Sequence, residues 1–338
     1  MNYPIGIQDF ASIINDGFVY VDKTNMVYEL TKDKGVYFLS RPRRFGKSLL
    51  VSTIKYYFEG RHDLFKGLKI ESLEKKWETY PVFEIDFNGS NYTEADALEQ
   101  TLNGYLIKWE QQYGVKPATD QPGRRLADVL HQAHVQTGKT CVVLVDEYDK
   151  PMLDAMDTGL KTRVGDNEML IEDHNRETLK AFYSVFKLAD ADLRFVFLTG
   201  VTKFAQVSVF SGFNNARDIS MNPRFDTICG ISREELNNVF ASSIEELANT
   251  NMLSVEEAKS QLQQRYDGYH FSNGMTDIYN PFSLLNAFAD DNIRDYWFAS
   301  GTPSYLMRLL AHSKEDIQDI IARSYEAQEF VDYRATVE

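Results

Sequence analysis

Two short runs in this sequence carry the residue types that phosphate chemistry needs: Gly46-Lys47-Ser48, and Asp146-Glu147 at the end of an apolar stretch. A glycine lets the backbone approach an anion closely, a lysine places a point charge on the β- and γ-phosphates, and a serine hydroxyl offers a ligand to Mg²⁺. Successive N–H groups at a helix start add an anion-binding nest. Arg43, Arg44, Phe45, Gly46, Lys47, Ser48 and Leu49 are therefore the expected phosphate-binding residues. In the run Val142-Val143-Leu144-Val145-Asp146-Glu147, Asp146 is expected to join Ser48 in holding Mg²⁺ and Glu147 to polarise the attacking water. Lys47, Glu147 and Thr199 make the expected catalytic set, with Thr199 placed as a γ-phosphate sensor and Thr202 as second choice. Asp149 would serve as a base or hold structural partners.

Each of these readings has a plainer competitor. Gly-Lys-Ser can be a chance tripeptide in a surface loop, and the motif here lacks its first glycine because Arg41 stands there. The fixed φ of Pro42 can hold a loop that begins this way. An Asp at a strand end is often a turn cap, and a Thr there can merely close the strand. Arg43 and Arg44 could touch phosphate, pair with acids, or stay solvated.

The elements that must position these residues read as α/β. An apolar strand over 36–39 leads into the loop, and a helix over 48–58 leaves it. Further strands are expected at 82–87, 141–145 and 194–199, and helices at 93–114, 123–137 and 174–189. The stretch 141–145 is continuously apolar, as a parallel strand covered on both faces should be. Such alternation predicts an α/β domain with a mostly parallel sheet flanked by helices, and Gly46-Lys47-Ser48 between its strand and helix makes the expected fold a P-loop NTPase. The 194–199 strand is expected between the phosphate-loop strand and the Asp-Glu strand, giving the order 5-1-4-3-2. After residue 230 helices take over, at 232–247, 255–265, 281–289 and 303–311, with Glu234-Glu235 suited to a helix start. The division is thus 1–230 for the nucleotide domain with an N-terminal arm, 231–312 for a helical subdomain, and 313–338 for a polar connector.

Composition narrows the partners. With 50 acidic and 36 basic residues the net charge is −14, which repels a polyanion on average. Nucleic acid thus stays an open partner, requiring a local basic patch. No run approaches the length of about 18 apolar residues that spans a bilayer, and the opening Met1-Asn2-Tyr3-Pro4 does not read as a signal peptide. The two cysteines, Cys141 and Cys229, suit a reducing cytoplasm. No Cys/His cluster suggests zinc.

Taken in order, several motifs together resemble the AAA-ATPase-like family, whose members are often fused to a PD-(D/E)XK nuclease-like domain. They are Tyr3-Pro4-Ile5-Gly6-Ile7-Gln8-Asp9-Phe10, Tyr20-Val21-Asp22-Lys23-Thr24, Arg41 through Ser48, Asp146 through Pro151, Leu198 through Val201, Tyr266-Asp267-Gly268-Tyr269 and Tyr279-Asn280-Pro281-Phe282. Arg41 belongs to the family's form of the loop. The resemblance implies ATP and ADP as ligands, with Mg²⁺, and the absence of Asn-Lys-x-Asp agrees. It implies an opening segment over the adenine, with Ile5, Gly6, Ile7 and Phe10 as contacts, though an arm packed on the core fits them equally. The Tyr266–Tyr269 motif would be a lid contact or a turn between helices.

The family's nuclease-like domain would begin near where this chain stops. Within the chain only Asp63 with Glu74-Lys75-Lys76 offers an acid-x-Lys piece, and no strand surrounds it. The leading expectation is Mg²⁺-dependent ATP binding and hydrolysis that drives or gates such a domain. The alternative is a slow or non-hydrolysing nucleotide switch. A phosphotransferase would need an Arg-rich lid, and none is evident. A homo-oligomer would allow Arg217 or Arg224 to serve a neighbouring site, and both read equally well as surface residues.

Overall fold

A computed structural model describes residues 1–202 and 216–296. The central sheet contains β1 (Gly35–Ser40), β2 (Val82–Asp86) and β3 (Cys141–Asp146). Strands β4 (Lys161–Val164) and β5 (Asn167–Leu170) form a separate antiparallel hairpin with no buried residue. The chain then returns to the sheet through β6 (Leu193–Gly200) and β7 (Ala216–Asp218). The order is β2-β3-β6-β1-β7, and every pairing is parallel. Numbered along the sheet's own strands this is the expected 5-1-4-3-2, and the sheet is parallel throughout.

Burial explains the layering. All six residues of β3 are buried, because helices cover both faces and no polar alternation is needed. On one face Phe38, Val143, Val145, Val196 and Leu198 pack against α5 (Ala97–Tyr113), α6 (Pro122–Thr137) and α7 (Ile171–Tyr183). On the other, Leu39, Val142, Leu144, Phe195 and Phe197 meet α3 (Lys47–Phe58) through Leu50, Ile54 and Phe58. Each such side chain contributes about 1.5–3 kcal/mol on full burial. The loop 41–46 therefore hangs between two rigid elements, β1 and α3.

The first 23 residues form an arm over α3. Asp9 caps α1 (Phe10–Asn15) and accepts the Tyr56 hydroxyl at 2.9 Å, while the Phe10 N–H donates to Ser52 at 2.9 Å. Asp22, just before α2 (Thr24–Thr31), accepts the Thr24 N–H and also the N–H of Lys69 at the start of α4 (Lys69–Leu73). Tyr3 carries the arm onto the helical region, stacking on Phe288 and donating to Ser243 at 2.7 Å.

Past residue 230, helices over 233–239, 241–250, 255–266 and 281–289 enclose a core of their own around Phe240, Leu247, Leu262 and Phe288. The expected helix over 232–247 is broken at the buried Phe240. Glu235 closes a capping box with Ser232, as Glu257 does with Ser254. A two-strand ladder joins β8 (Ile231–Ser232) to β9 (Ile278–Tyr279). The expected helix at 303–311 and the connector 313–338 lie outside the described residues. Among the described residues no helix is long and apolar enough to cross a membrane.

The acid-x-Lys piece sits in no strand. Asp63 pairs with Arg61 in a 3-10 turn, and Glu74 closes α4 by accepting the Lys75 and Lys76 N–H groups and the Tyr57 hydroxyl.

Candidate functional site

The loop from Arg41 to Gly46 leaves β1 at the carboxyl edge of the sheet, and α3 starts at Lys47. Arg44 and Gly46 both lie at positive φ, 68° and 89°. At Gly46, the residue that caps α3, a side chain would be strained by backbone conformation alone. Such alternating backbone turns successive N–H groups toward one point.

Lys47 is only 4% exposed. Its Nζ lies 3.4 Å from the Pro42 carbonyl and 3.4 Å from Oε1 of Glu147. Since β6 separates β1 from β3, this lysine reaches across the end of the intervening strand. Ser48 and Leu49 follow in the first turn of α3, half-buried. Phe45 plays a different part: its ring is buried edge-on to Tyr269 and Phe271, and its carbonyl accepts the Gly230 N–H at 3.0 Å. Its side chain is committed to this aromatic cluster. Arg43 and Arg44 are exposed, with the Arg44 guanidinium 3.8 Å above the ring of Phe282.

Arg41 is 1% exposed and is no phosphate ligand in this arrangement. It donates to the carbonyls of Ser40 (2.9 Å), Ser220 (2.7 Å) and Phe225 (3.1 Å), and stacks 3.9 Å from the centre of Phe271. Burial pushes its pKa down to about 10.

Asp146 is 4% exposed and accepts the Glu147 N–H at 3.0 Å. Burial raises its carboxyl to about 6, against the opposing pull of the Ser48 hydroxyl and Lys47. Among the described residues it makes no ion pair. A buried carboxylate beside a hydroxyl, with no direct ion pair among the described residues, suits a divalent cation. Because its folded pKa lies above the unfolded value, the native state holds the proton more tightly. Stability from this group is thus greatest below the ordinary carboxyl value of 3.8, falls as pH rises toward about 6, and is flat beyond. Asp146→Asn is accordingly expected to stabilise the metal-free protein at pH 7 by about 1–3 kcal/mol, raising its melting temperature by a few degrees. The same variant should lose any Mg²⁺-dependent stabilisation with nucleotide. A lower melting temperature in EDTA would contradict this account.

Glu147 follows at φ 51°, half-buried, with its carboxylate on Lys47. Thr199 is fully buried, and its hydroxyl donates to the Leu39 carbonyl at 2.9 Å, across to β1. That bond gives it a strand-joining role in this structure. Thr202 donates its N–H and its hydroxyl to Asp149, both at 2.7 Å.

Beside Gly46 lies an apolar pocket built by three segments distant in sequence. The arm supplies Pro4, Val19, Tyr20 and Lys23, the start of α3 supplies Leu49 and Leu50, and the turn before the helical region supplies Cys229 and Gly230. Ile5, Gly6 and Ile7 do not line it, and Phe10 is buried elsewhere against Phe65, 4.8 Å between centroids. The arm thus reaches the pocket through other residues than the four expected. Lys23 is 7% exposed, and its Nζ meets Glu235 at 2.6 Å, joining arm to helical region. The signal for this pairing was present only as two unconnected motifs. The Tyr266–Tyr269 motif ends a helix and delivers Tyr269 to Phe45. Arg217 sits on the edge strand β7 over Tyr37, 5.9 Å away, and Arg224 is exposed.

Comparison with known proteins agrees with this geometry. A family model described as a predicted AAA-ATPase matches residues 4–210, more than half of the chain. An uncharacterized protein from the vnfD 5′ region of Azotobacter chroococcum mcd 1 is 38% identical over 312 residues. The match takes in 92% of this chain and 56% of that protein, so the chain spans little more than half its relative's length. With its parallel sheet, phosphate loop and acidic strand end, the chain belongs to the AAA-ATPase-like family.

Proposed function

We propose that this chain binds ATP with Mg²⁺ and hydrolyses it. The observation that carries the reading is the 3.4 Å approach of Lys47 to Glu147 across β6, with buried Asp146 next in the chain. Ser48 and Asp146 would hold the ion, which when bound neutralises charge on the β- and γ-phosphate oxygens. The N–H groups from Arg44 to Leu49 cradle the phosphates, and Lys47 binds them as a point charge. Glu147 can orient water only when Lys47 has let go of it. An arriving γ-phosphate competes for the ammonium and so releases the carboxylate at the moment it is needed.

The pocket beside Gly46 is the natural seat of the base. Its walls are mostly apolar, it adjoins the phosphate cradle, and both arm and helical region close it. In the longer proteins of this family the ATPase would drive or gate an attached nuclease-like domain.

The same ion pair favours a second reading. If Lys47 keeps Glu147 in the bound state, ATP acts as a ligand for a switch that turns over slowly. The deciding experiment measures phosphate release from ATP with Mg²⁺ and with EDTA, alongside equilibrium ATP binding. Release that vanishes in EDTA is the expected result. Binding without release moves the assignment to the switch, and absence of binding removes both.

A further inference from the structure

We propose that Asp149 is a positioning residue that ties the loop leaving β6 to the turn carrying Glu147, so that the ends of these two neighbouring strands move as one unit. The inference rests on the ATPase reading for its kinetic consequence, while the mechanical link stands on its own contacts.

Glu147 holds a left-handed backbone at φ 51°. For a residue with a side chain this costs about 1–3 kcal/mol and persists only where the surroundings impose it. The imposing contacts come from the end of β6 and the segment that follows it. The Tyr148 N–H donates to the Thr199 carbonyl at 3.0 Å, and the Tyr148 hydroxyl to the Thr202 carbonyl at 2.9 Å. One oxygen of Asp149 accepts three donors: the Val201 N–H at 3.0 Å, the Thr202 N–H at 2.7 Å and the Thr202 hydroxyl at 2.7 Å. The side chain is 0% exposed, so these bonds form away from competing water.

The fit leaves no slack. The second carboxylate oxygen, Oδ1, finds no hydrogen-bond partner among the described residues and lies against Gly200, where an added Cβ would sit 2.5 Å from it. The β6 backbone can approach Asp149 this closely only because position 200 has no side chain. Burying an acceptor-only group, with one oxygen lacking a donor among the described residues, has a cost that other bonds must offset. Three donors from a segment about fifty residues away in sequence do so. Any displacement of the β6 end is thereby felt at Glu147 through two intervening residues.

The test is a graded series in the intact chain. Asp149→Ala removes the acceptor, and turnover should fall at least about thirtyfold with ATP affinity changed less than about threefold. Asp149→Asn, which can still present one oxygen to the donors, should recover much of that loss, and Thr202→Val should lose only a few-fold. A merely structural role would lower affinity and turnover together.

A second readout does not depend on turnover. Hydrogen exchange over residues 199–202 should slow in wild type on adding Mg²⁺ and a non-hydrolysable ATP analogue, and that response should be lost in Asp149→Ala. Retention of both the response and wild-type turnover in Asp149→Ala would overturn the proposal. If wild type binds the analogue but never hydrolyses ATP, the ATPase reading fails and the exchange result alone decides the role of Asp149.

Discussion

Glu147→Gln is expected to bind ATP at least as well as wild type while its turnover falls by about a hundredfold or more. The substitution keeps the shape of the side chain and the strained backbone at φ 51°. It removes the charge that draws a proton from water, and with it the attraction for Lys47 Nζ at 3.4 Å. That pair is poorly exposed, 3% for the lysine side chain and 17% for the glutamate. Its Coulomb energy at an effective dielectric of 20 is about 4–5 kcal/mol before desolvation is subtracted, so only a fraction is net. Freed of this partner, Lys47 needs no rearrangement to meet phosphate, and affinity should rise by a few-fold. Lys47→Ala behaves oppositely: it removes the charge on the phosphates and leaves Glu147 beside them, so binding should weaken by about a hundredfold. Equilibrium binding and single-turnover hydrolysis of the three proteins separate the effects. A Glu147→Gln variant that hydrolyses within threefold of wild type would remove Glu147 from the mechanism.

Much of this was readable from the chain because it depends on local pattern. The apolar run before Asp146 announced a strand covered on both faces, and all six residues of β3 are buried. Gly46 and Lys47 between an apolar run and a helical pattern announced the loop that joins β1 to α3. The sheet order followed from topology once those strands were placed. What escaped were features set by partners distant in sequence. Strand β7 is three residues, Ala216–Asp218, with no alternation to betray it, and it exists because β1 offers a free edge. The β4–β5 hairpin buries nothing, so hydrophobic pattern cannot find it. A threonine at residue 199 reads the same whether its hydroxyl faces a phosphate or, as here, the Leu39 carbonyl of the next strand. The pocket beside Gly46 takes its walls from the arm, α3 and the turn at 229–230, and no window along the sequence contains them together.

Arg41 is where motif and physics disagree most, and it gives the second large prediction. The common phosphate loop has glycine at this place, so Arg41→Gly makes the sequence look more like the general pattern. It is nevertheless expected to cost about 3–5 kcal/mol of stability and to weaken ATP binding. Removing the guanidinium leaves the buried carbonyls of Ser220 and Phe225 without this donor, and strips the cation from the face of Phe271. It also opens a void the size of an arginine beneath the loop and adds backbone freedom at its first residue. The opposing term is the burial of the charge, visible in a pKa pushed down to about 10. That term favours replacement by an apolar side chain of similar length, so Arg41→Met should be milder, about 1–3 kcal/mol, because it fills the void yet satisfies no carbonyl. Denaturant unfolding of the two variants beside wild type orders the terms. If Arg41→Gly were as stable as wild type and bound ATP equally, the loop would be held by Pro42 and the flanking elements alone. If it is the worst of the three, the loop's first residue works as an anchor from beneath, where other phosphate loops rely on the freedom of glycine.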